Sequence, residues 1–572
     1  MKYFVTGASG FIGQHLVRQL LRTKGCLVYC LVRDEKKMPD DLRHSTKILK
    51  GDGSALGQYA EKIQSCDIIF HVGGKATLGD GDGYKRDNIE FTDSLISICE
   101  KSKKLKRFVF TSTVGAVDRS KFDPCDAPLT ESAVPNPMSD YGKSKLVCEQ
   151  HLEASNLPYV IVRPVLVYGP GMRRQSHLRT FIDAVEKGSA YSRFNFPGTL
   201  SFIHVNDLVG ALILLARHPG AVRQTYFASD SIPLPLGALF RELGDILGRK
   251  TGTVTLGIGI PWLFRAIRRF LPFQAQNLFS DVLTVSNNKL RALGFIPKVD
   301  SQQGFLDTAH DHFRREHPER RTAIVTGGAS GIGKSLCRQL YAHGYEIVIV
   351  DRDELLGRDV AESVHGAFVN ADLGKESDVH RVERFIREHA DHIDLLVNNA
   401  GIGKRGNTEE IPSPDLISVV AINCSAPIAL TNAILPVLIK RGYGTIVNIG
   451  SSAGYQPLPY MSVYAASKAF IIRYTEALQG ELMGRDVPDG VEVILASPSG
   501  TATKFQKNSG VKDNESKLLR PEEVAAAIVR KIGKGHARFI VGSSGKGMAF
   551  AARFLPERMQ IRLWEQLMRT KR

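Results

Sequence analysis

"AIVTGGASGIGKSLCRQLY", residues 323–341, joins a β-branched run to a helical pattern through a glycine turn, and "YFVTGASGFIGQHLVRQLL", residues 3–21, repeats the arrangement. Thr6 and Thr326 lie 320 residues apart. A second pair of motifs, "YGKSK" at 141–145 and "YAASK" at 464–468, recurs with Tyr141 and Tyr464 323 apart. Two ordered motifs at nearly one offset mark an internal duplication, so the 572 residues divide into two homologous halves. The polar stretch "HDHFRREHPERR" (310–321), containing Pro318, precedes the fresh strand and sets the expected domains at 1–318 and 319–572.

Each half alternates short apolar runs with helical patterns. "YFVTG", "LVYCLVR", "DIIFHVG", "RFVFTST" and "YVIVRPVLVYG" read as strands in the first half. "AIVTGG", "EIVIVD", "GAFVNAD", "IDLLVNNAG", "GTIVNIGSS" and "VEVILASPSG" do so in the second. Near-continuous apolar strands separated by helices predict a parallel sheet covered on both faces. The expected fold is α/β, with two tandem doubly wound Rossmann-type parallel-sheet domains.

A hydrophobic content of 43% and a charged content of 23% are those of a globular chain with ample core. The net charge of +16 suits an anionic membrane surface or a phosphorylated cofactor. No Lys/Arg-rich run with interleaved aromatics occurs, so no nucleic-acid partner is expected. The eight cysteines are scattered, with no C-x-x-C pair and no zinc-type spacing. Reduced thiols, a cytoplasmic setting and no metal site follow as expectations. The N-terminus is already a strand and a glycine turn, so no secretory leader is expected. Apolar stretches such as 252–264 fall short of the roughly 20 residues of a membrane span.

Gly7, Gly10 and Gly13 in the first turn, and Gly327, Gly331 and Gly333 in the second, each follow a strand and open a helix. Glycine permits a tight turn and close approach of a pyrophosphate, which the helix N-terminus then favours. The second strands end at Arg33 and Asp351. A guanidinium matches a 2′-phosphate and points to NADP in the first half. A carboxylate accepts from ribose hydroxyls and points to NAD in the second, with Arg352 beside it leaving NADP open. Asp52 and Asp372 end the third strands and are candidates for the adenine edge.

Tyrosine and lysine four apart share one helix face. An ammonium there favours the phenolate, so the pair can tune a proton donor that serves a carbonyl during hydride transfer. A neighbouring hydroxyl would hold the substrate oxygen.

The second half resembles the classical short-chain dehydrogenases through "TGGASGIG", "NNAG" (398–401), Asn423 in "VAINCSA", "IVNIGSSAG" (446–454) and "YAASK". The resemblance implies a catalytic set of Asn423, Ser451 (Ser452 the alternative), Tyr464 and Lys468. It also implies cofactor contacts from Ser330, Ile332, Asn399 and Thr503, with Lys468 on the nicotinamide ribose. Ser499 in "SPSGTATKF" stands where the family usually has glycine. The first half resembles the extended branch of the same superfamily, which includes 3β-hydroxysteroid dehydrogenase- and epimerase-like proteins. Its landmarks are the Gly-x-x-Gly-x-x-Gly spacing, "RFVFTSTVGAV", "YGKSK", "RPVLVYGPG" (163–171) and "FIHVNDLV" (202–209). That resemblance implies Thr113 (Ser112 the alternative), Tyr141 and Lys145. "HVGGKA" replaces a more usual His-x-Ala-Ala, and His71 and His204 read as structural.

Two segments bear on the substrate. "IPWLFRAIRRFLPF" (260–273) and the tail from 547 interleave large apolar residues with arginines, and both read as basic amphipathic helices, the tail kinked at Pro556. The expected function is a two-centre NAD(P)-dependent oxidoreductase acting on a small hydrophobic substrate (lipid, steroid or fatty-acyl), with contact to a membrane surface and self-association both compatible. The alternatives are a fatty acyl-CoA reductase, a nucleotide-sugar epimerase or dehydratase in the first half, and one half serving as a cofactor-binding module without turnover.

Overall fold

The computed structural model describes residues 1–572 except 77–80, 118–126, 174–175, 197, 231–232, 255–283, 485–489, 510–517 and 570–572. The segment 260–273 therefore lies outside the described residues. The chain forms two units, one of Met1–Glu242 with Lys250–Thr308, the other of Leu243–Arg249 with Ala309–Arg572.

The first unit is built on seven strands: β1 (Lys2–Thr6), β2 (Leu27–Val32), β3 (Lys47–Lys50), β4 (Ile68–His71), β5 (Arg107–Thr111), β6 (Tyr159–Pro164) and β7 (Gln224–Ala228). All pair in parallel, in the order β7-β6-β5-β4-β1-β2-β3. Side chains alternate across the pleat. Tyr3, Val5, Phe70 and Val109 join one buried cluster, while Phe4, Ile69, Phe108 and Phe110 join another. Both faces are thus covered, as the unbroken apolar runs require.

The second unit repeats this plan with β8 (Thr322–Thr326), β9 (Glu346–Asp351), β10 (Ala367–Asn370), β11 (Ile393–Asn398), β12 (Tyr443–Ile449), β13 (Gly490–Pro498) and β14 (Ala537–Val541). The order β10-β9-β8-β11-β12-β13-β14 is again wholly parallel. In each sheet the strand order reverses beside the first strand, and ligands of such folds bind at the carboxyl ends of the strands there. The edge strands β7 and β14 are not among the runs that read as strands in the sequence. Each starts at a polar or half-buried residue, and β14 is only half-buried along its length. They lack the continuous apolar run of a strand covered on both faces.

The helical run Ser413–Arg441 does reach the length and hydropathy of a membrane span, contrary to the sequence expectation. Some 56% of its most apolar window is buried. Leu430, Ile434 and Leu438 belong to the core beneath the second sheet, which accounts for the composition.

Candidate active sites

The β1 turn leads into α1 (Phe11–Leu21) and the β8 turn into α2 (Gly331–Ala342). Gly7 has φ +67° and Gly327 φ +64°, a region that costs other residues strain. A Cβ on Gly13 would lie 2.1 Å from the Gly7 carbonyl oxygen, and one on Gly333 would lie 2.0 Å from that of Gly327. The third glycine therefore lets each helix close on its strand. The N-caps, Gly10 and Ser330, make no side-chain capping bond among the described residues. Each helix start thus keeps N–H donors for an anion, which fits the pyrophosphate of a dinucleotide. Ile332 lies within the first turn of α2. Thr503 flanks it, since a Cβ on Gly331 would meet the Thr503 methyl at 2.9 Å. Asn399 donates through Nδ2 to the Thr326 and Gly327 carbonyls at 2.9 and 3.1 Å, pinning the turn from below.

The second-strand residues differ as the sequence does. The Asp351 carboxylate accepts from Ala329 N inside the glycine turn and from Asp353 N, both at 3.0 Å. Arg33 is exposed, with Nη1 3.9 Å from Asp87 Oδ2. Asp52 accepts from the Ser54 amide and hydroxyl, which hold its carboxyl below the usual range. Asp372 accepts from Gly374 N at 3.0 Å.

Tyr141 and Lys145 lie on α3 (Asp140–Ala154), and Tyr464 and Lys468 on its counterpart in the second unit, the helix Ser462–Met483. In both helices the lysine is buried and ties to the sheet. Lys145 Nζ donates to the Thr111 carbonyl at 3.0 Å, and Lys468 Nζ to that of Ile449 at 2.9 Å. The hydroxyl residues match as well. Thr113 and Ser451 both have extended backbone and open a short 3-10 turn, accepting from Gly115 N and Ala453 N, each at 3.2 Å. This correspondence pairs Thr113 with Ser451. Ser112 and Ser452 are both buried.

Asn423 sits in a π-helical turn, Ala421–Ser425. Its Oδ1 accepts from Ile402 N at 2.9 Å, and its Nδ2 donates to the Ile402 carbonyl and Ser467 Oγ, both at 2.9 Å. Asn88, which the sequence reading did not single out, makes the same three bonds from the π-helical turn Lys85–Glu90. It accepts from Lys75 N at 2.7 Å and donates to the Lys75 carbonyl at 3.2 Å and to Ser144 Oγ at 2.9 Å. π-turns inside helices often mark functional positions. Asn88 precedes Tyr141 by 53 residues whereas Asn423 precedes Tyr464 by 41, so spacing alone did not reveal it. The "HVGGKA" departure has a steric reason. A Cβ on Gly73 would lie 2.9 Å from Thr6 Oγ1, and one on Gly74 would lie 2.8 Å from Asn88 Oδ1.

One electrostatic expectation is corrected. Burial outweighs the groups that would lower the tyrosine pKa values, and neither lysine is among those groups. Burial pushes Tyr141 up to about 12 and raises Tyr464, with a hydrogen bond from Ser451 opposing the rise. The lysines are themselves disfavoured as cations by burial, Lys468 falling to about 8. Its Nζ lies 6.0 Å from the Tyr464 ring centroid and is directed to a carbonyl. His71 is enclosed between Thr6 and Thr92, and burial holds it neutral, at about 3. His204 accepts from Asn206 N as a helix cap and falls to about 4.

Residues 3–227 match the NAD dependent epimerase/dehydratase family, and residues 321–514 the short chain dehydrogenase family. An uncharacterized oxidoreductase of Staphylococcus epidermidis is 30% identical over 213 residues, which cover 37% of this chain and 90% of the relative. The putative oxidoreductase SadH of Mycobacterium tuberculosis is 30% identical over 254 residues, covering 41% and 91%. Among solved structures, a Sphingobium yanoikuyae short-chain dehydrogenase in complex with NADPH is 27% identical, with TM-score 0.36, covering 41% of this chain and 93% of that one. The UDP-glucuronic acid 4-epimerase of Bacillus cereus in complex with NAD is 20% identical, with TM-score 0.45, covering 54% and 95%. With two glycine cradles and two hydroxyl–Tyr–Lys–Asn sets behind these matches, the chain belongs to the short-chain dehydrogenase/reductase superfamily as a tandem NAD(P)-dependent oxidoreductase, its first half of the epimerase/dehydratase type and its second of the classical type.

Proposed function

We propose that each half is an independent catalytic centre interconverting carbonyl and hydroxyl groups of a hydrophobic substrate. The observation that carries this reading is the duplicated set Asn88, Thr113, Tyr141, Lys145 and Asn423, Ser451, Tyr464, Lys468, with matching hydrogen bonds. Bound nicotinamide supplies or accepts the hydride. Thr113 or Ser451 orients the substrate oxygen, and the tyrosine phenol passes it a proton. Because burial keeps both phenols protonated at neutral pH, each rests as a proton donor, which suits carbonyl reduction. In this reading Lys145 and Lys468 serve the ribose and the proton path, beside the loops that Asn88 and Asn423 hold through Lys75 and Ile402.

The Phe505 ring, 5.1 Å from the Tyr464 ring, supports an apolar substrate in the second centre. Arg33 favours NADP in the first centre. The Asp351 carboxylate favours NAD in the second. A second reading, in which the first half acts on a nucleotide sugar, draws on Arg173, whose charge reaches Tyr141 and would suit an anionic substrate.

The test is NADH and NADPH oxidation by the full chain across a series of alkyl aldehydes and ketones of rising length, alongside UDP-sugars. Rising kcat/KM with chain length is the expected result. Turnover of UDP-sugars alone would overturn the hydrophobic-substrate reading.

A further inference from the structure

The chain ends, within the described residues, in two helices, Ser543–Phe554 and Glu557–Arg569, parted at Leu555–Pro556. Polar bonds anchor them to the second unit at three places. Ser499 Oγ accepts from Gly545 N at 3.0 Å and donates to the Val541 carbonyl at 2.8 Å. Within the pair, Gln560 Nε2 donates to the Ala552 and Leu555 carbonyls, both at 2.8 Å, and so ties the second helix to the end of the first. The Tyr460 hydroxyl donates to Glu565 Oε1 at 3.2 Å, and Arg405 Nη2 to the Met568 carbonyl at 2.6 Å. These anchors border the second catalytic site. Tyr460 is four residues from Tyr464 and holds φ +63°, and a Cβ on nearby Gly403 would lie 3.2 Å from the Tyr464 ring.

The outward faces carry most of the large apolar side chains. Phe550 is 67% exposed, Phe554 71%, Met559 56%, and Ile561 and Leu563 44% each. The two phenyl rings pack together at 4.9 Å. Met568 is buried and Trp564 half-buried, but most of the large apolar side chains of the pair face out, where a helix packed wholly on its own domain turns its apolar stripe inward. Lys546, Arg558 and Arg562 are exposed among them. From 543 to 569 the sequence carries Lys546, Arg553, Arg558, Arg562 and Arg569 against Glu557 and Glu565, five minus two, a net +3.

We infer that this helix pair is a docking surface for an anionic lipid bilayer, lying in the headgroup region beside the mouth of the second catalytic site. Outward phenylalanine, methionine and leucine with arginines at their flank is the composition of an interfacial helix, whose apolar side sinks into the acyl boundary while its cations meet the headgroups. Two copies of a patch of net +3 repel each other, which disfavours self-association through this face. The surface brings the site's mouth to the phase that holds hydrophobic compounds, a consequence that rests on the substrate reading above. Bilayer binding itself does not rest on it.

The test is co-sedimentation of the full chain, without substrate, with vesicles of phosphatidylcholine mixed with phosphatidylglycerol and with vesicles of phosphatidylcholine alone. The native chain is expected to sediment with the anionic vesicles, and more weakly with the neutral ones. The triple variant Phe554→Glu, Met559→Glu, Leu563→Glu is expected to lose binding at least about tenfold, with unchanged thermal melting and unchanged NAD(P)H turnover on a water-soluble aldehyde. Equal sedimentation of the variant, or none by the native chain, would overturn the inference. So would sedimentation velocity showing a native dimer that the triple variant converts to monomer, because the face would then join two chains.

Discussion

Replacing Lys468 by methionine separates what this residue does for chemistry from what it does to stability. The Lys468 side chain is buried, and burial lowers its pKa from 10.5 to about 8. That difference corresponds to about 3 kcal/mol of cation desolvation at about 1.4 kcal/mol per tenfold change. The penalty is fully present below pH 8. Between about 8 and 10.5 the unfolded chain binds the proton that the folded chain has released, so stability rises with pH across that window. Lys468→Met removes the charge but leaves the Ile449 carbonyl without the 2.9 Å donor, a loss of about 1–3 kcal/mol. At pH 7 the variant is therefore expected to be as stable as the native protein or more so, by up to about 2 kcal/mol, with turnover at the second centre abolished. Urea unfolding of both proteins at pH 7 and pH 10, followed at the transition of the second unit, measures the effect. The native protein should gain up to about 3 kcal/mol relative to the variant between the two pH values. A stability difference that does not change with pH would refute the buried-cation reasoning.

Other perturbations have similarly defined outcomes. Asn88→Ala strips the Lys75 amide and carbonyl and the Ser144 hydroxyl of their partners. Turnover at the first centre should fall, and the first unit should lose about 2–4 kcal/mol in denaturant unfolding, while the second centre is unaffected. Gly333→Ala places a Cβ 2.0 Å from a backbone carbonyl that cannot yield, and calorimetric titration should show dinucleotide affinity falling at least about tenfold in the second half alone. Arg33→Ala should weaken NADPH more than NADH at the first centre, and equal weakening would remove the 2′-phosphate role.

The features legible in the sequence are local. The strand–glycine–helix turns at Gly7 and Gly327, and the Tyr-x-x-x-Lys pairs, are complete within about 20 residues and repeat at one offset, so the two-domain parallel fold follows from them. What escaped depends on contacts distant in sequence. Asn88 meets Ser144 across 56 residues, and only the π-turn brings it there. Ser499, a departure from the family pattern, acquires its reason from Gly545, 46 residues on. The effect of lysine on tyrosine is not legible in the sequence, because helical spacing puts the two side chains on one face but says nothing of depth. Burial governs both groups, and each ammonium turns to a sheet carbonyl.

The central claim is that two complete catalytic centres share this chain. The most direct measurement is single-turnover hydride transfer by Tyr141→Phe, Tyr464→Phe and the double variant, with dinucleotide binding recorded for each. Each single variant should abolish one of two separable activities and leave cofactor binding intact, and the double variant should abolish both. A Tyr141→Phe protein that retains every activity of the native chain would contradict the account and make the first half a cofactor-binding module.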